Sequence, residues 1–173
     1  MLALLTIVML VPAGSLGAWI VLFQPFSVPG ITEPQQSFKD SALGISLLYP
    51  SSWAWQVDRS TATVHFYDSS HTGQVNIVVG TGSSGTEQSL QQQAGQLGMT
   101  AQKPEPALTF AGTRWQRLQG YDQQHGASYT ATLLVSVHNQ RLYTLVFLAP
   151  QTIYAQEEQY VFAGMRSSFQ FTS

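Results

Sequence analysis

Residues 114–148 read RWQRLQGYDQQHGASYTATLLVSVHNQRLYTLVFL. Three strand-like runs lie in this stretch, Arg114–Tyr121, Ala127–Val137 and Arg141–Leu148. Asp122–Gly126 and His138-Asn139-Gln140 separate them, and short polar links of this kind predict consecutive antiparallel hairpins. A meander of three long strands is the frame on which the remaining segments must pack.

Upstream, four shorter strands are expected. Leu43–Tyr49 places Ile45, Leu47 and Tyr49 on one side by period two, and Pro50-Ser51-Ser52 ends it. Trp53–Val57 follows, with Asp58-Arg59-Ser60 as a turn. Thr61–Tyr67 puts Ala62, Val64 and Phe66 inward and Thr63, His65 and Tyr67 outward, and Val75–Val79 aligns Val75, Ile77 and Val79. A helix then starts at the capping-box spacing of Ser84 and Glu87, with Leu90, Ala94 and Leu97 on one face and Gly98 as its stop. Lys103, Pro104, Glu105 and Pro106 read as a loop. Downstream, Pro150 opens a second helix with Ile153, Tyr160, Val161 and Gly164 on one side, and Phe169 and Phe171 alternate in a short last strand. Two helices and a strand meander predict an α+β fold, an α/β/α-type sandwich around an antiparallel sheet.

The first charged residue is Glu33. Leu2–Phe23 is apolar apart from Thr6, Pro12, Gly14, Ser15 and Gly17, and as a helix it would reach roughly 33 Å, against a hydrocarbon core of about 30 Å. An N-terminal transmembrane helix is therefore expected over residues 1–23. Ser15-Leu16-Gly17 offers small residues for signal cleavage, but no Lys or Arg precedes the apolar run and the run resumes at Ala18, which favours an uncleaved anchor. The missing basic residues also fit a natural chain that begins further upstream. Residues 24–37 carry three prolines and one glycine before Ser37, the composition of an extended tether, and residues 38–173 have the length of one domain. With most of the chain after the span, a single-pass protein with its domain on the extracytoplasmic side is expected.

Charged residues are 9% of the chain and the formal net charge is −2, without the clustered basic face that nucleic acid requires. There is no cysteine, so neither a disulfide nor a thiol-linked lipid can form. No cofactor motif appears.

The order of elements resembles the PsbP-like fold family. The carrying residues are the opening Gly44-Ile45-Ser46-Leu47-Leu48-Tyr49-Pro50-Ser51-Ser52-Trp53, the central Gly112-Thr113-Arg114-Trp115, the turn and strand Asn139-Gln140-Arg141-Leu142-Tyr143-Thr144-Leu145, and the closing Ser167-Ser168-Phe169. The similarity spans Phe38 to Phe171. It implies a non-catalytic accessory role at a membrane surface, by analogy of fold.

Candidate chemistry is sparse. His65, Asp68 and His71 have residue types that ligate transition metals if the loop after Tyr67 folds back, against the ordinary reading of three solvated residues. His125 and His138 fall at turns. Gly80-Thr81-Gly82-Ser83-Ser84-Gly85 lacks the full nucleophile-elbow pattern and any Walker lysine, so it reads as a loop before a helix. Glu157 and Glu158 are adjacent on a helix, diverge by about 100° and cannot flank one bond. Trp53, Trp55 and Trp115 are expected in the core, with Trp55 partly exposed, and Arg114 and Arg117 flank Trp115 as possible contacts for an acidic partner. The leading expectation is a membrane-anchored, non-enzymatic accessory or assembly subunit that binds a membrane protein complex. The alternative is an envelope protein that binds a small ligand or a metal.

Overall fold

The computed structural model describes residues 33–82, 86–124 and 127–172. The expected anchor Leu2–Phe23, the first part of the tether, Ser84 of the capping box and His125 lie outside them. Among the described residues no helix is long and apolar enough to cross a membrane.

The fold is α+β and largely antiparallel. A seven-stranded sheet has the order β3 (Ala54–Asp58), β4 (Thr63–Tyr67), β5 (Gln74–Thr81), β9 (Arg141–Pro150), β8 (Ala127–His138), β7 (Thr113–Gln124) and β6 (Thr100–Phe110). A smaller sheet joins β1 (Gln35–Asp40), β2 (Ile45–Pro50) and β10 (Gln170–Phe171) in the order β1-β2-β10. Helix α1 (Thr86–Gln96) packs on β7 and β8. At the C-terminus α2 (Tyr154–Glu157), a π-helical turn Glu158–Phe162 and α3 (Ala163–Ser168) follow one another directly.

Successive residues of the central strands serve opposite faces. Leu133, Val135, Val146 and Leu148 join Leu90 and Ala94 of α1 in one core, while Leu134, Leu145, Phe147 and Ala149 join the small sheet and the C-terminal helical run in the other. That two-sided burial explains why Leu133-Leu134-Val135 and Leu145–Ala149 are unbroken apolar runs instead of alternating ones. Phe38, Tyr49 and Phe66 tie the small sheet to the large one, with Phe38 edge-on to Phe66 at 5.2 Å. The three hairpin strands predicted from residues 114–148 pair in register, for example Leu118 with Leu133 and Leu134 with Leu145.

Several local expectations need correction. Residues 35–37, read as the end of the tether, belong to β1, which pairs with β2 along its whole length. The stretch around Lys103–Pro106, read as a loop, lies within the eleven-residue strand β6. Prolines are tolerated there because β6 is an edge strand and its pairing with β7 shifts register between Thr100 and Lys103 and between Glu105 and Leu108. Ala62 stands before β4 at φ 50, in a turn. Leu97 is 37% exposed, because α1 ends at Gln96 and Gly98 turns the chain at φ 66. The C-terminal helical run begins at Tyr154, not Pro150, and its buried residues are Tyr154, Phe162, Met165 and, as expected, Gly164. Tyr160 is 40% exposed, since the π turn rotates the following residues out of 3.6 periodicity and brings Phe162 inward.

Candidate interaction surfaces

His65, Asp68 and His71 each have a separate structural role. His65 projects from β4 beside Asn76 of β5, and its Nδ1 lies 2.9 Å from the Asn76 Oδ1. The Asp68 carboxylate organises the loop that follows, accepting from the backbone of Ser70, Thr72 and Gly73 at 2.8–3.0 Å and from the hydroxyls of Ser70 and Thr72 at 2.9 and 2.7 Å. Burial pushes this carboxyl up, but those donors outweigh it and hold its pKa below the usual range. The same loop sets His71 at φ 56 and lays its ring on Tyr67, with centroids 4.4 Å apart and 17° between planes. Among the described residues no three His, Cys, Asp or Glu side chains are grouped to hold a metal ion.

Trp53 and Trp115 are buried and Trp55 is 47% exposed. Trp55 packs edge-on against Phe38 at 5.1 Å, and its Nε1–H donates to the Tyr49 hydroxyl at 3.2 Å. It closes the seam between the two sheets. Beside that seam, Arg59 bonds Asp40 at 2.5 Å, and Asp40 also accepts from the Leu43 N–H at 2.9 Å. Arg114 is exposed, whereas Arg117 is half-buried opposite Glu105. The Arg117 Nε is buried without a hydrogen-bond partner among the described residues. Lys103, 2.9 Å away, and then the charge of Arg117 draw the Glu105 carboxyl below its usual range. The two arginines on one strand thus do not form one cationic patch. Glu157 and Glu158 also part company, as expected: Glu158 takes a two-pronged contact from Arg166 at 2.9 and 2.5 Å, while the Glu157 Oε2 is buried without a hydrogen-bond partner among the described residues.

One concave surface was not apparent from the residues. An open groove of about 420 Å³ is lined by Ala111, Gly112, His138, Gln170 and Phe171, where the β6–β7 and β8–β9 turns meet β10. Its wall is aromatic: His138 stacks on Phe171 at 3.9 Å, and Trp115 and Phe110 stack behind at 4.6 Å. Ala111, Gly112, Asn139 and Gln140 all have positive φ, as two-residue hairpin turns require. The Asn139-Gln140 signal was legible as a turn, but its meeting with Ala111 and Gly112 depends on sheet order.

No protein-family model matches the sequence. No curated protein matches it either. Solved structures do resemble the fold. A protein of Bacteroides thetaiotaomicron VPI-5482 matches at 17% identity and a TM-score of 0.56, over 80% of this chain and 48% of that one, so this chain spans about half its length. Cyanobacterial PsbP (CyanoP) of Synechocystis sp. PCC 6803 matches at 14% identity and 0.58, over 91% of this chain and 98% of that one. LpqN, involved in cell envelope biogenesis of Mycobacterium tuberculosis, matches at 15% and 0.51, over 82% and 87%. At such identities the likeness is one of fold, and the fold is PsbP-like.

Proposed function

We propose that this chain is a membrane-anchored, non-catalytic accessory or assembly subunit whose PsbP-like domain binds a membrane protein complex on the extracytoplasmic side. The observation that carries the reading is the domain-length correspondence with cyanobacterial PsbP, 91% of this chain against 98% of that one. LpqN, with its role in cell envelope biogenesis, supports an envelope setting. The anchor rests on the apolar run Leu2–Phe23, the tether that follows it, and a domain whose first strand starts within two residues of Glu33. The two-sheet seam at Trp55 and the aromatic groove at Phe171 are apolar surfaces that a partner would cover.

The test is a pull-down of the tagged full chain from its native membranes in mild detergent, read by mass spectrometry. A stoichiometric co-purifying membrane protein is expected. A chain that purifies alone at endogenous levels overturns the accessory role. Release of the chain by alkaline carbonate overturns the anchor separately.

A further inference from the structure

Helix α1 covers only part of its side of the large sheet. It packs on β7 and β8, which leaves the same face of β3, β4 and β5 without a covering element among the described residues. Three residues form a row across that open face, because Gln56 pairs with His65 and His65 with Asn76. Strand spacing separates such neighbours by about 4.8 Å. The next row holds Ala54, Tyr67 and Gln74, displaced by two residues or roughly 7 Å along the strands.

We propose that this face binds a neutral oligosaccharide, with His65 and Asn76 reading a pair of neighbouring hydroxyls and the Tyr67–His71 stack supporting a sugar ring. The Asn76 Oδ1 is an acceptor, so the His65 Nδ1 carries the hydrogen of their 2.9 Å contact. In the tautomer with that hydrogen on Nδ1, Nε2 is an acceptor, while the Asn76 amide presents two N–H donors. One sugar hydroxyl donates to Nε2 and its neighbour accepts from the amide, and Gln56 extends the row with a further exposed amide. The plate is preorganised: Asp68 fixes the turn, the Gln74 amide donates to the His71 carbonyl at 3.0 Å, and the exposed His71 ring lies flat on Tyr67. A rigid stacking surface beside fixed polar groups costs little ordering on binding.

Charge selects the ligand. The two rows contain no Lys, Arg, Asp or Glu. Asp58, at the far end of the face, has its carboxylate engaged by the Ser60 N–H and hydroxyl. A phosphate or an acidic polymer finds no cation here. A protein partner would need buried apolar anchors, and apart from Tyr67, covered by the His71 ring, the face offers only Ala54 and Val78. A ligand made of hydroxyls and apolar ring faces matches what remains. This inference stands apart from the proposed partner complex and needs no anchor.

The test is saturation-transfer NMR on the full chain in phosphatidylcholine nanodiscs. The probes are β-1,4-linked hexamers of glucose and of N-acetylglucosamine, with hexagalacturonate as the acidic comparison. Transfer to ring protons of a neutral hexamer and none to hexagalacturonate is expected. His71→Asn keeps a residue suited to positive φ and removes the plate, and should weaken binding on the order of tenfold. Gln56→Ala should weaken it less, and Trp55→Ala, on the opposite face, should leave it unchanged. No transfer to either neutral hexamer overturns the proposal. So does binding that His71→Asn and Gln56→Ala leave intact, or a photo-crosslinker at position 56 that captures protein in native membranes.

Discussion

The Tyr154 phenol donates a hydrogen bond to the Thr132 hydroxyl at 2.5 Å, joining the first turn of the C-terminal helical run to the middle of β8. Both residues are buried, and burial, assisted by the nearby Glu158 carboxylate, pushes the phenol up to about 12. The folded chain thus keeps a proton that the unfolded chain loses near pH 10, so stability is intact below pH 10 and falls as pH rises toward 12. The loss should approach about 3 kcal/mol. Urea titrations from pH 8 to 11.5 should show this slope in the native chain. Tyr154→Phe should flatten it, at a cost of about 1 kcal/mol near neutrality.

Glu157 behaves as an acid of the opposite consequence to a salt-bridged one. Desolvation first, then the carboxylates of Asp68 and Glu33, raise its pKa above the ordinary 4.5. A carboxyl raised in the folded state favours folding while protonated, and that advantage is lost as pH climbs through 4.5 to the folded value. Glu157→Gln should therefore raise the melting temperature at pH 7 and change it little at pH 4. Equal shifts at both pH values would show that charge is not the cause.

Asp40 ends β1 and organises the turn into β2. The Leu43 N–H bonds its carboxylate, the Gly44 N–H bonds its backbone carbonyl at 2.9 Å, and Arg59 reaches across from the β3–β4 turn. Arg59 is the main cause of its lowered pKa, so this contribution is present above the ordinary carboxylate range and is lost as pH falls below it. Asp40→Ala should cost about 1–2 kcal/mol, since it leaves a buried N–H unpaired. Arg59→Ala should cost less, because that side chain is largely exposed. Chemical denaturation of both variants at pH 7 and pH 3 distinguishes the two contributions.

The tryptophans separate packing from exposure. Trp115 is fully buried between Phe110, Phe169 and Phe171, with its Nε1–H on the Phe110 carbonyl at 3.3 Å. Trp115→Ala should cost about 3–5 kcal/mol. Trp55→Ala should cost on the order of 1 kcal/mol, because half of its ring is already in water. Thermal melts monitored by far-ultraviolet circular dichroism measure both.

The hairpin meander and both helices were legible because each rests on local periodicity or turn chemistry, and the burial of Trp53 and Trp115 because large aromatic rings commonly fill a core. What was missed depends on pairing that no local pattern encodes. Gln35–Ser37 became a strand only because β2 offers Leu48–Pro50 as partners. Pro104 and Pro106 became strand residues because they fall on the sheet's last position. Phe162 replaced Tyr160 as the inward ring because a π turn cannot be counted from spacing. His65, Asp68 and His71 were recognised as a cluster of chemistry-bearing types, but their assignments follow from Asn76, from the turn donors and from Tyr67.

The two ends of the large sheet are not equivalent. Along β6, Pro104 and Pro106 carry no N–H and two register shifts break the line of the strand, so a second strand has no regular ladder to join there. At the far end β3 has no such guard among its five residues. If two copies ever met strand to strand through the large sheet, they would do so β3 to β3, a twofold arrangement that closes on itself. The proline-bearing edges would then face outward, and the joined sheet would stop at fourteen strands, twice the seven of one copy, instead of growing into a fibre.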